Sequence, residues 1–243
     1  MKTIADLSVT SAAPRARRGW HPGLLFNAGA QGAWFDPSRL PTLFQDAAGT
    51  VPVTGDGDPV GLMRDISGNG NHAAQPAPAA RPTWRTDGTL SWLEFDGVDD
   101  ALSIGPVPFA ASLFGLCIGL DYDPDAGTSA SWRSRDIISK YVGLSYKLSD
   151  GNPSDIGGTL TLNGAPAPTS RIALRALTED PSVGCATEVP TAPFAGRAGC
   201  FFTYSSTQSP IGRFFGYVES EALTAALTAD VTGWMAGKSG VTL

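Results

Sequence analysis

Asp121, Asp123 and Asp125 alternate in Asp121-Tyr122-Asp123-Pro124-Asp125-Ala126-Gly127, and alternating carboxylates at a strand end can converge their oxygens on a hard cation such as calcium. The run echoes the start of an EF-hand loop, but Ala126 stands where that loop needs glycine, Trp132 replaces the closing glutamate and Pro124 stiffens the middle. Asp96, Asp99 and Asp100 form a second acidic cluster, which the hydrogen bonding of a hairpin turn accounts for by itself. Trp132 lies in the polar stretch Thr128-Ser129-Ala130-Ser131-Trp132-Arg133-Ser134-Arg135. An indole face stacks on the apolar side of a sugar ring, and Arg133 and Arg135 can bond the carboxylate of an acidic sugar. These three residues are therefore the expected glycan contact; Asp121, Asp123 and Asp125 are the candidate calcium ligands nearby, with a solvated loop that binds no metal as the favoured alternative.

Groups for covalent or acid-base chemistry are scarce, and the chain is not expected to be an enzyme. Glycoside hydrolysis takes two carboxylates placed across the scissile bond. There is no Glu-x-Asp-x-Glu, and the nearest approach, Glu219-Ser220-Glu221, is expected to open a terminal helix, where acids suit the helix dipole. His21 and His72 are the only histidines, and no Gly-x-Ser-x-Gly offers a nucleophile. His72 is expected to be a structural histidine just inside a strand. Gly237-Lys238-Ser239 lacks the earlier glycine of a phosphate loop and ends a helix instead of beginning one.

The elements that must position these residues are mostly strands. Gly (29) and Pro (19) are abundant without a collagen-like period, which fits many short strands joined by turns. Alternation predicts strands at 113–122, 137–141, 144–148, 159–162, 172–177, 199–204 and 212–218. Leu90–Phe95 and Ala101–Ile104 flank an Asp-Gly signal and predict a hairpin. Asp36 followed by Pro37 predicts a short helix over 36–44, and Ser220 with Leu223, Leu227, Val231 and Trp234 predicts a closing helix that ends near Gly240. Its Leu227, Val231 and Trp234 should face the core, and Trp92, in an alternating strand, is expected to be buried.

A chain of 243 residues with net charge −6 makes a sequence-independent grip on nucleic acid unlikely chemistry, because that grip needs a basic surface. No stretch approaches the roughly 18 apolar residues that span a bilayer, and no signal-peptide run follows Met1, so a soluble product made in the cytoplasm is expected. Residues 1–31 are aperiodic and carry Lys2, Arg15, Arg17 and Arg18 against Asp6, which predicts an extended arm before a single domain at 32–243. Cys117, Cys185 and Cys200 are expected as buried thiols, with a Cys185–Cys200 bridge as the alternative in an oxidising setting.

Four segments in order carry a resemblance: Gly32-Ala33-Trp34-Phe35-Asp36-Pro37-Ser38 with Leu43-Phe44-Gln45-Asp46; Asp65-Ile66-Ser67-Gly68-Asn69-Gly70-Asn71-His72-Ala73; Leu93-Glu94-Phe95-Asp96-Gly97-Val98-Asp99-Asp100; and the closing Trp234–Leu243. Together they resemble the laminin G-like, concanavalin A-like domain of phage and prophage structural proteins. The resemblance implies an all-β, two-sheet antiparallel jelly-roll sandwich, here with a short N-terminal helix and a C-terminal helix. It also implies a virion protein, a head spike, fibre or tail appendage, forming a homo-oligomer on the particle. Its expected partners are other virion proteins, docked through Arg15, Arg17 and Arg18 of the arm, and host surface polysaccharide. A structural decoration or adaptor protein without a ligand is the alternative.

Overall fold

The computed structural model describes residue 17 and residues 19–123, 158–167, 180–192, 199–201 and 211–243. In chain order the strands are β1 (Gly32–Phe35), β2 (Leu43–Phe44), β3 (Leu62–Met63), β4 (Ala73–Ala74), β5 (Thr83–Thr86), β6 (Ser91–Asp96), β7 (Leu102–Ile104), β8 (Leu113–Asp123), β9 (Thr159–Leu162), β10 (Ala165–Pro166), β11 (Ser182–Pro190), β12 (Gly199–Phe201) and β13 (Ile211–Ser220). The helix α1 is Thr228–Ser239. The pairings make two antiparallel sheets, an eight-stranded one ordered β10-β9-β11-β8-β13-β6-β5 with β1 also on β13, and a five-stranded one ordered β12-β7-β4-β3-β2. The chain is thus mostly β, with a C-terminal helix.

Alternation builds β8. Phe114, Leu116, Ile118 and Leu120 point into the core between the sheets, with Phe35, Leu93, Phe95, Phe214 and Tyr217. The opposite parity, Gly115, Cys117 and Gly119, forms a smooth seat for a third layer. A Cβ on Gly119 would stand 3.0 Å from the Met235 sulfur, and one on Gly115 would collide with the Leu223 carbonyl. On this seat α1 buries Val231, Met235 and Ala236 against Cys117, Val183, Cys185 and Val218. Gly240, with φ of 73°, takes the left-handed C-cap that only glycine adopts without strain.

Several sequence expectations give way here. Residues 36–44 form no α-helix: the Asp36 carboxylate accepts from the Ser38 N–H at 3.0 Å, holding a turn, and only a 3-10 turn at Leu40–Thr42 precedes β2. The predicted hairpin is a crossing between sheets, since β6 pairs with β5 and β13 while β7 pairs with β4 and β12. Ser220 ends β13 instead of capping a helix, and Glu219, fully buried in that strand, accepts from the Tyr217 hydroxyl at 3.0 Å. Cys185 lies opposite Cys117 in register and is disulfide-bonded to it, so neither the free thiols nor a Cys185–Cys200 bridge describes these two.

The expected arm also changes character. Its described part, from Trp20, turns through a 3-10 helix at Pro22–Leu25, and Leu25 is 4% exposed in the layer under α1. Packing therefore begins before residue 32.

Trp234 is only partly buried, with its ring edge-on to Trp34 at 5.9 Å and Lys238 5.4 Å over its face. Trp234→Ala should therefore lower stability by about 2 kcal/mol, less than the roughly 3 kcal/mol expected for Met235→Ala, a fully buried neighbour. Urea unfolding of the two variants checks the order, and the reverse ranking would mean that the tryptophan is the true core residue.

Candidate functional site

The turn at 65–72 is a structural latch. The buried Asp65 carboxylate accepts from the N–H groups of Trp34 (2.9 Å), Ser67 (2.9 Å) and Asn71 (3.0 Å) and from the Ser67 hydroxyl (2.7 Å). Asn69 and Asn71 donate their side-chain amides to the Gly32 carbonyl at 3.1 and 2.8 Å. Gly32 itself has φ of 153°, and a Cβ there would collide with the Glu219 carbonyl. His72 accepts the Asp65 N–H through Nδ1 at 3.1 Å, which gives the ring a structural task.

The outer face of the large sheet is divided. One half lies beneath α1 and residues 20–26. The other half, on β5, β6, β13 and the end of β8, carries the half-buried Arg85, Trp92, Glu94 and Asp121 and the exposed Arg213. Register assembles it: Arg85 opposes Trp92, and Arg213 opposes Glu94 on one side and Asp121 on the other. Arg85 Nε donates to Glu94 at 2.8 Å and its Nη1 lies 3.5 Å from Asp56. Arg213 lies 3.5 Å from Asp121 and holds its guanidinium 5.2 Å over the Trp92 ring, which touches Phe215 at 6.2 Å. The Trp92 Nε1–H has no acceptor among the described residues.

Trp92 was expected to be buried and is instead half-buried on this outer face. Its parity was readable, because Glu94 and Asp96 share it while Leu93 and Phe95 take the core side.

The other expected site residues fall as follows. Trp132, Arg133, Arg135 and Asp125 lie outside the described residues, as do Arg15 and Arg18. Asp121 is committed to Arg213, and Asp123 holds the register position opposite Ile211. Arg17, expected on a particle partner, clamps the first turn of α1: its guanidinium meets Asp230 at 2.7 and 2.8 Å and its N–H donates to the same carboxylate at 2.6 Å. That hydrogen bonding holds Asp230 below the usual carboxylate range.

Asp96, Asp99 and Asp100 have oxygens within 4.8 Å of one another and are the described group that could share a cation. Two bonds within the turn already use them, Asp96 N–H to Asp100 at 2.9 Å and Val98 N–H to Asp96 at 2.8 Å. Burial, followed by the charges of Asp96 and Asp99, pushes the Asp100 carboxyl up to about 6. A folded-state pKa raised above the unfolded value gives stability that is present in acid and lost as pH rises through about 6. Asp100→Asn should therefore gain about 1–2 kcal/mol at pH 7.5 and almost nothing at about pH 3, below the unfolded value. Melting curves at both values check this, and a variant that is less stable at the higher pH would reverse the assignment.

At one end of the sandwich, a cleft of about 250 Å³ is lined by Leu113, Phe114, Glu188, Glu221 and Leu223 among others. Burial works against the Glu221 charge, but N–H bonds from Gln31, Ala111 and Ala110 outweigh it and hold the carboxyl below its ordinary value. With its oxygens given to backbone, Glu221 serves as a clasp between strand ends. Glu188, at a bulge with φ of 60°, accepts from the Thr159 hydroxyl at 3.1 Å.

No family model, curated protein or solved structure matches this chain.

Proposed function

We propose that this chain is a surface protein of a bacteriophage or phage-like particle, a head spike, fibre or tail appendage, whose sandwich binds host cell-surface polysaccharide without cleaving it. In this reading the two sheets are a jelly roll of the concanavalin A-like, laminin G-like type, and the protein is a homo-oligomer on the virion. The observation that carries the binding step is the half of the outer sheet face not beneath α1, where Trp92 stands half-buried among Arg85, Glu94, Asp121 and Arg213. An aromatic ring fixed on paired strands and ringed by hydrogen-bonding groups is the surface that sugar chains need.

The second reading, a decoration or adaptor protein without a ligand, draws on the same face. Arg85 and Arg213 both already have carboxylate partners, so the surface is self-satisfied as it stands.

Purified full-length protein mixed with polysaccharide extracted from the host surface should bind it and release no reducing ends. Binding to particles with none to host polysaccharide would favour the decoration reading, and sugar release would make the protein an enzyme. A cryo-EM map of the parent particle places it at head, neck or tail.

A further inference from the structure

We infer that the chain bound on this outer face is a neutral polysaccharide, recognised along an internal stretch and not at its end. The inference rests on the polysaccharide reading above and names the ligand class. It departs from the acidic sugar that Arg133 and Arg135 suggested.

Charge decides against an acidic ligand. The face holds two guanidinium groups, Arg85 and Arg213, and three carboxylates, Asp56, Glu94 and Asp121, each within 3.5 Å of one of those guanidiniums. A uronic acid or sulfate would have to displace one of these carboxylates while lying beside the others, and like charges held close repel. A cationic ligand fares no better, because each carboxylate already faces an arginine. A neutral sugar needs no displacement. Its hydroxyls both donate and accept, so one can donate to Glu94 or Asp121 while its neighbour on the ring accepts from the arginine alongside.

The remaining features agree with a sugar ring. Trp92, half-buried, provides the apolar surface for the C–H side of a pyranose, and the buried Phe215 ring, its centroid 6.2 Å away, supports it from beneath. Shape points to an internal stretch. Four adjacent strands, β5, β6, β13 and β8, contribute side chains, and at about 4.8 Å per strand the row is roughly 15 Å across. A sheet surface of that width suits a chain lying over it, whereas an end group calls for an enclosing pocket.

The test is affinity electrophoresis of the full-length protein in gels containing a neutral glucan, mannan or galactan, beside gels containing polygalacturonate. At least one neutral polymer should retard the protein and polygalacturonate should not. Trp92→Ala should weaken the retardation about tenfold and Glu94→Gln about threefold. The Glu94 side chain is 40% exposed and its ion pair contributes little to folding, so Glu94→Gln keeps the test valid if Trp92→Ala unfolds. Stronger retardation by polygalacturonate overturns the neutral-chain inference and leaves the polysaccharide reading standing. Neutral binding that neither variant weakens overturns this face as the site. If no polymer of either kind, nor the host polysaccharide, retards the wild type, the polysaccharide reading falls and takes the inference with it.

Discussion

Asp65→Ala is expected to destabilise the protein by about 4 kcal/mol, a large part of the roughly 5–15 kcal/mol by which domains are typically stable. The carboxylate is an ionised acceptor for four donors in a buried setting, and alanine would leave the N–H groups of Trp34, Ser67 and Asn71 without it. Hydrogen bonds to charged groups are the strong ones, and orphaned buried donors carry their full desolvation penalty. Asp65→Asn keeps one accepting oxygen and turns an amide toward the remaining donors, so its loss should be about half as large. Equilibrium denaturation with an unchanged m-value would measure both. A loss under about 1 kcal/mol for the alanine variant would mean that water replaces the carboxylate and that the turn is no latch.

Deleting residues 2–30 should lower stability by at least about 4 kcal/mol, although this segment reads in sequence as a detachable arm. The deletion removes the Arg17 clamp on Asp230, the buried Leu25, and the partly buried Trp20 and Phe26 that cover the underside of α1. Leu25→Ala alone should account for roughly 2–3 kcal/mol of it. A truncated chain that melts at the wild-type temperature would restore the independent arm. The result also bears on particle assembly: failure of the truncated protein to incorporate would report lost folding unless its stability were measured alongside.

Of the strands that sequence patterning predicts, those at 137–141, 144–148 and 172–177 lie outside the described residues, and β8 is legible because its two faces differ in side-chain type although both are buried. At 113–122 the inward residues alternate with Gly115, Cys117 and Gly119, and a period of two is visible. Ser182–Pro190 is not legible in the same way: it lies between the sandwich core and the layer under α1 with small or apolar residues on both faces, so no alternation of type shows, and its glycine and terminal proline read as loop punctuation. The Asp-Gly signal at 96–97 correctly marked a tight turn but carries no information on which sheet the next strand joins. Asp36-Pro37 failed as a helix start because Ser38 N–H and hydroxyl both bond Asp36, a local competitor to helical geometry. Of the outer face, Trp92, Glu94 and Asp121 could be assigned a common side within their own strands. Their meeting needs the pairing of β6 and β8 through β13, a contact across distant sequence that no local pattern encodes.

β13 occupies a singular place: β8 runs along one of its edges, while the other is shared by β6 at Ile211–Phe214 and β1 at Tyr217–Ser220. The keystone of the large sheet is therefore the last of the described strands in chain order, made after every strand it joins. Until it emerges, β1, β6 and β8 have no template to align them, and the loops that must close between them are long, which slows folding. Nascent or prematurely terminated chains would expose three apolar strands with open edges, the form most prone to sticking to one another. Expression of a chain stopped before Ile211 should yield aggregates, and a pulse-chase should find protease resistance arising only after β13 has been made, all at once.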